Sequence, residues 1–176
     1  MDEWVIIIII LSFLMSFAIG SNDAANGLAT SYGSNVAALW KLLLIGAIAE
    51  FSGGMWCSDK VTDTFTHQII MEHQYLSPFT QKEIMVSICF STFIFVIISS
   101  VWGVPISGTH TVVSAYIGAG LVSTGAIAWK NLSVIFISWI ASPLLSSILA
   151  FILMIVVSKL TMDTKNWSFK ARILWT

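Results

Sequence analysis

The chain has 176 residues, 57% of them hydrophobic and 10% charged, with formal net charge -1 and a mean hydropathy of +0.89; a soluble domain carries about a quarter charged residues, so this is the composition of a membrane protein. Eight basic residues against nine acidic ones, with no basic run before the final stretch, exclude a nucleic-acid partner. Cys57 and Cys89 lie at or inside apolar stretches and are too few for a disulfide framework or a cysteine metal cluster.

A bilayer span takes about 20 mostly apolar residues. The first candidate runs from Trp4 to about Tyr32. It opens on acidic Asp2 and Glu3, not on the positive segment of a secretory signal, which predicts an uncleaved first helix. Its middle reads Ala18-Ile-Gly-Ser-Asn-Asp-Ala-Ala-Asn26-Gly, where apolar character stops and Gly20 and Gly27 bracket small and polar residues, so a break at mid-membrane is expected. An ionised Asp23 at that depth costs at least about 2.5 to 3.5 kcal/mol. A bound cation would offset this, with amide oxygens of Asn22 and Asn26 and carbonyls freed by the break completing an all-oxygen shell. A compatible alternative has Asp23 capping a half-helix that begins at Ala24.

The second candidate, Val36 to Cys57, holds Glu50 within Gly46-Ala-Ile-Ala-Glu50-Phe-Ser-Gly-Gly54, whose small residues allow close helix approach. Glu50 is then a cation ligand, a proton carrier, a gate partner, or a protonated acid hydrogen-bonded across a helix interface. A polar connection follows, Ser58 to Lys82, with Asp59, Lys60, Asp63, His67, Glu72 and His73. There Val61, Phe65 and Ile69 recur at helical spacing and suggest either a short surface helix or a solvated loop.

The third and fourth candidates, Ile84 to Trp102 and Thr109 to Trp129, are joined by Gly103-Val-Pro-Ile-Ser-Gly-Thr-His110-Thr, which predicts a re-entrant turn in a protein-lined or wet cavity. Ser107, Gly108 and Thr109 then bring hydroxyls and free N–H groups to a helix N-terminus, where unpaired first-turn donors and the helix dipole favour an anion. Plain N-capping by Ser107 or Thr109 is the simpler reading. His110 has no second His or Cys nearby and makes no zinc site. The fifth candidate runs from Leu132 to Lys159. Four of the eight basic residues (Lys159, Lys165, Lys170, Arg172) fall in the last 18 positions, which puts the C-terminus in the cytosol and, across five crossings, the N-terminus outside.

An anion-binding helix terminus beside a carboxylate-rich cation site describes a cation-coupled anion carrier, in which each ligand raises the affinity for the other.

At these residues the chain resembles the inorganic phosphate transporter (PiT) family of sodium- or proton-coupled carriers. Gly20-Ser-Asn-Asp-Ala-Ala-Asn26-Gly-Leu-Ala-Thr-Ser-Tyr-Gly-Ser34 is similar to the family signature, usually Gly-Ala-Asn-Asp-Val-Ala-Asn followed by Thr-Ser-x-Gly-Ser. Val104-Pro-Ile-Ser-Gly-Thr-His110 is similar to its hairpin motif, in the Ser-Gly-Thr-His form associated with eukaryotic members, and Glu50-Phe resembles the acidic position of its second helix. Ser21 departs from the usual Ala, and Gly27 sits where Ala or Ser is commoner.

The resemblance implies an all-α integral membrane fold of about five transmembrane helices, with a broken first helix and a re-entrant hairpin, forming one half of an inverted-repeat transporter. It implies that Asp23 and Asn26 bind the coupling cation, that Asn22, Ser107, Gly108 and Thr109 hold phosphate, and that Glu50 couples or gates. Residues 1–159 would be the N-terminal transmembrane repeat and 160–176 the start of a basic cytosolic segment. The implied partners are inorganic phosphate, Na⁺ or H⁺, the lipid bilayer, and a second repeat or second chain, with no cofactor and no metal beyond the coupling cation. The expected location is the plasma membrane. One copy of each motif is present, so truncation or assembly with another half is expected.

Two rival readings are a carrier of another tetrahedral anion, such as sulfate or arsenate, and a non-transporting membrane subunit that binds partners through Ser58 to Lys82. A membrane hydrolase on Asp23 and His110 lacks an activated nucleophile, so no enzyme is expected.

Overall fold

The computed structural model describes residues 3–67, 69–70 and 76–162. Its helices are α1 (Glu3–Gly33), α2 (Leu39–His67), α3 (Pro78–Val101), α4 (Gly108–Ser123) and α5 (Trp129–Met162), and the described residues contain no strand beyond an isolated bridge between Ile70 and Ile127. Each hydropathic stretch becomes one helix, with ends set by local chemistry. The third begins at Pro78, ahead of the apolar run, because the Ser77 hydroxyl accepts the Thr80 N–H at 3.1 Å and Pro78 supplies a pre-set φ at the first position. The second runs on through Ser58 to His67, so the segment around Val61 and Phe65 continues α2 and is not a separate surface helix. Glu72 and His73 lie outside the described residues, as do Lys165, Lys170 and Arg172.

The expected break in the first helix is absent: α1 is a single helix of 31 residues through Gly20 to Gly27. Two glycines in a helix interior cost only about 1 kcal/mol each relative to alanine, and no proline removes a backbone donor. The polar side chains need no freed backbone either. Ser21 Oγ donates to the Ala18 carbonyl at 2.8 Å, and Asn22 spends its amide on the α3–α4 connection, as described below.

The chain divides into two compact units, Met1–Trp129 and Lys130–Thr176. In the first, α1 packs chiefly on α3, α3 on α4, and α1 on α2. The third helix is central: Ile84, Ile88, Cys89, Thr92, Val96 and Ser99 are buried along it, against a core that includes Ala18 and Val113. Ser12 of α1 and Cys89 of α3 meet at 3.7 Å. Large apolar side chains such as Phe13, Phe17, Ile45, Phe51 and Phe95 are exposed, as suits a helix set solvated by lipid. Fully buried Ile69 accepts the Ala128 N–H at 3.0 Å, joining the connection after α2 to the one after α4. In the second unit, α5 keeps helical geometry past Pro143, where Ser147 Oγ donates to the Pro143 carbonyl at 2.7 Å.

Among the described residues, three helical segments are long and apolar enough to cross a membrane: α1, α3 and Trp129–Lys159 of α5. The fourth helix has 16 residues, about 24 Å at ~1.5 Å per residue, short of a hydrocarbon core of about 30 Å. In α2, Lys41, Glu50, Asp59, Lys60 and Asp63 interrupt the apolar character. Five full crossings are therefore not reached on length and composition.

Candidate functional site

Polar groups meet where the middle of α1 faces the α3–α4 connection. That connection is shaped by how α3 ends. Gly103 takes φ 70°, the left-handed region that glycine adopts without a Cβ penalty. Gly103 N–H donates to the Ser100 carbonyl at 3.0 Å and Val104 N–H to the Ser99 carbonyl at 2.9 Å, a Schellman closure. Pro105 then holds the chain extended into Ser107, the N-cap of α4.

Asn22 locks this turn to α1. Its Nδ2 donates to Ser100 Oγ at 2.9 Å and to the Val104 carbonyl at 3.4 Å, and its Oδ1 accepts the Ile106 N–H at 2.9 Å. The side chain is buried, so each bond forms away from bulk water. Replacing Asn22 with Ala strands the Ile106 N–H, and a buried donor without a partner costs about 1–3 kcal/mol. The Asn22→Ala protein is expected to unfold at lower temperature in detergent, and an unchanged melting point would show that the connection does not depend on this amide.

Asp23 projects toward the start of α4. A methyl group built on Gly108 would lie 3.3 Å from Asp23 Oδ2 and 2.8 Å from Ile19 Cγ2, so glycine is what lets the helix terminus approach α1 this closely. A carboxylate at a helix N-terminus is favoured by the dipole, by about 0.3–1 kcal/mol at exposed sites and up to ~2 kcal/mol when partly buried. Asp23 also lines a groove of ≈ 550 Å³ between α1 and α2, shared with Gly20, Gly27, Gly46 and Glu50. The Glu50 carboxylate reaches α1 there, with Oε2 3.8 Å from a methyl group built on Gly20. Both acids thus face one groove. Among the described residues no cluster of three or more His, Cys, Asp or Glu forms, so any cation here would draw on carboxylates together with neutral oxygens.

Not every predicted residue joins them. Asn26 is exposed and lines a separate cleft of ≈ 430 Å³ with Ser21, Asn22, Ser100, Gly103 and Pro105, while Asp23 lines the groove with Glu50. Ser107 caps α4, its Oγ accepting the His110 N–H at 3.3 Å and lying 3.0 Å from Thr109 Oγ1. Gly108 is buried, and Thr109 is exposed beside it. Sequence reasoning passed over Ser100, the partner of Asn22, although paired hydroxyls at Ser99 and Ser100 inside an apolar span were a visible signal.

Comparison with known proteins gives a consistent answer. The profile of the phosphate transporter family matches residues 19–176. A phosphate permease of Thermococcus kodakarensis is 30% identical over 168 residues, covering 94% of this chain and 41% of the relative. One of Haemophilus influenzae is 31% identical over 168 residues, covering 93% and 40%, and a chloroplastic inorganic phosphate transporter of Arabidopsis thaliana is 30% identical over 151 residues, covering 82% and 25%. A solved structure of a sodium-dependent phosphate transporter superposes with a TM-score of 0.87 at 31% identity, over 94% of this chain and 42% of that one. The chain therefore spans less than half the length of the relatives it matches, and over the length it does span it belongs to the phosphate transporter family.

Proposed function

We propose that this chain supplies one half of a secondary carrier that moves inorganic phosphate across a membrane together with sodium, with a second repeat or second chain completing the site. The observation that carries the reading is the placement of the Asp23 carboxylate against the N-terminus of α4, in one groove with Glu50. A cation held at Asp23 offsets the acid's negative charge, and the unpaired donors of the adjacent helix start are then free to favour phosphate. Asn22 shapes the turn that presents Ser107, Gly108 and Thr109, Glu50 gates or couples from α2, and Asn26 contributes an amide oxygen from the neighbouring cleft. The short α4 and its tight connection to α3 suit a re-entrant hairpin, with α2 crossing through Leu42 to Cys57, a stretch with one charged residue, Glu50. Sodium is favoured by the sodium dependence in the description of the similar solved structure. The plasma membrane, an external N-terminus and a cytosolic C-terminus complete the proposal, the orientation resting on the basic C-terminal residues.

Labelled phosphate binding to the purified protein in detergent tests this directly. Binding is expected to rise with sodium and to resist competition by excess sulfate. Displacement by sulfate would point to a general carrier of tetrahedral anions. Stimulation by protons alone would replace sodium as the partner, and no binding under either condition would show that this half does not hold phosphate without the second.

A further inference from the structure

Two clefts run end to end between α3 and α4. One of ≈ 480 Å³ lies beside Ser107 and Thr111 at the start of α4, the other of ≈ 590 Å³ beside Glu83 near the start of α3 and Ser123 at the close of α4, and both are lined by Ser91 and Ala115. Together they make one seam along the hairpin. Because α3 is long and apolar enough to span a bilayer, its first two turns lie near a membrane boundary, and the seam leads from there to Ser107, next to the Gly108 that Asp23 approaches. Its wall carries hydroxyls that the adjoining surface lacks. Ser87 and Ser91 are exposed on it, whereas Phe90 and Ile94, exposed beside them on the same helix, are apolar and line neither cleft.

The chemistry of this wall favours a cation. Ser87 Oγ donates to the Glu83 carbonyl at 2.8 Å, Ser91 Oγ to Ile88 at 3.2 Å, Thr111 Oγ1 to Ser107 at 3.0 Å and Ser123 Oγ to Gly120 at 3.5 Å. Each hydroxyl spends its proton on its own helix and leaves oxygen lone pairs for whatever enters. Glu83 is the only carboxylate among the described lining residues and none of them is Lys or Arg, while His110, at the inner end, is the other titratable group. At the Glu83 end α3 starts and α4 stops, so their opposite dipole ends, about half a charge each, offset one another. The full charge of Glu83 decides the sign.

We infer that the seam is a water-filled access path selective for cations, with Glu83 as its selecting residue, by which sodium enters the carrier. This rests on the carrier reading above and adds to it a route and a filter. A carboxylate at the entrance lowers the energy of an approaching monovalent cation and raises that of phosphate, and low-dielectric walls carry that field along the seam. Phosphate is turned away here. In the orientation proposed above, the entrance beside Glu83 faces outside, and both clefts are wide enough for an ion that keeps its waters.

The test uses the intact chain in liposomes with exposed Cys57 replaced by Ser, and that protein alone controls for Cys89, which is buried. Ser87→Cys, Ser91→Cys and, as the lipid-facing control, Phe90→Cys are each reacted with small methanethiosulfonates of positive and of negative charge, present on both faces of the membrane. Both seam positions are expected to react roughly tenfold faster than position 90, because a thiol in apolar surroundings forms little thiolate. At position 87 the cationic reagent is expected to be favoured roughly tenfold more than it is by a free thiol in solution, and Glu83→Gln to bring that preference close to the solution value. Rates at 87 and 91 no faster than at 90 would overturn the path by showing lipid or protein in the seam. A cationic preference that is absent, or that survives Glu83→Gln, would overturn the role given to Glu83. Labelled phosphate binding in the same proteins keeps the two readings apart: its absence with the labelling pattern intact would leave the path standing, and its presence without that pattern would overturn the path and keep the carrier.

Discussion

Replacing Asp23 with Asn is expected to abolish the sodium dependence of phosphate binding while the protein still inserts and folds. The substitution preserves shape and removes the carboxylate charge that sits against the start of α4. If the cation's role is to neutralise that charge, the coupling disappears with it, and coupling free energies of about 1–3 kcal/mol correspond to roughly a 5- to 150-fold change in affinity. The measurement is phosphate affinity with and without saturating sodium, in the parent and in Asp23→Asn. The parent should show the full ratio and the variant a ratio near unity. Insertion should be preserved or improved, because an ionised carboxylate in a membrane helix is itself costly. A variant that keeps the parent's sodium ratio would move the cation elsewhere, and Glu50, on the same groove, would be the next residue to replace.

The second large effect is expected from Gly108→Ala. The new methyl would stand 2.8 Å from Ile19 Cγ2 and 3.3 Å from Asp23 Oδ2, closer than side-chain carbons approach without displacement. Ile19 is β-branched and held on α1, so the strain falls on the helix packing, and overpacking of this kind costs about 1–3 kcal/mol. The start of α4 should move off α1, weakening phosphate binding together with stability. Ile19→Ala removes the obstructing carbon, so the pair Gly108→Ala with Ile19→Ala should recover much of the loss in a melting experiment. Additive destabilisation in the double variant would show that the two positions do not meet in the working protein.

Much of this architecture was legible from hydropathy because each helix needs its own apolar run, and the five runs became five helices in order. The helix ends were less legible, being decided by single side chains that hydropathy averages away, such as the Ser77 cap that starts α3 and Thr124 with Gly125 at the close of α4. The misjudged feature was the middle of α1. Polar residues between glycines were read as a backbone that had come apart, yet a helix tolerates them when each side chain finds a partner at tertiary distance, as Asn22 does on Ser100, Val104 and Ile106. Local sequence carries no record of residues some eighty positions away. The cost of a charge at depth, by contrast, is a local property, and it singled out Asp23 and Glu50, which do share a groove. Asn26 falls in the other cleft because it stands one turn along from Asn22, about 40° round the helix, and shares that residue's side, whereas Asp23 lies about 60° further round.

The fastening of the α3–α4 pair at both extremities governs which movements are open to it. At one extremity the Asn22 amide rivets the loop to α1; at the other the pairing of Ile70 with Ile127 and the bond from Ala128 to Ile69 stitch the flanking segments together. A beam clamped at two places does not flap like a lid. Within this unit the two ties hold α1, α3 and α4 as one wedge, and Glu50 faces it from α2 across a seam of glycines.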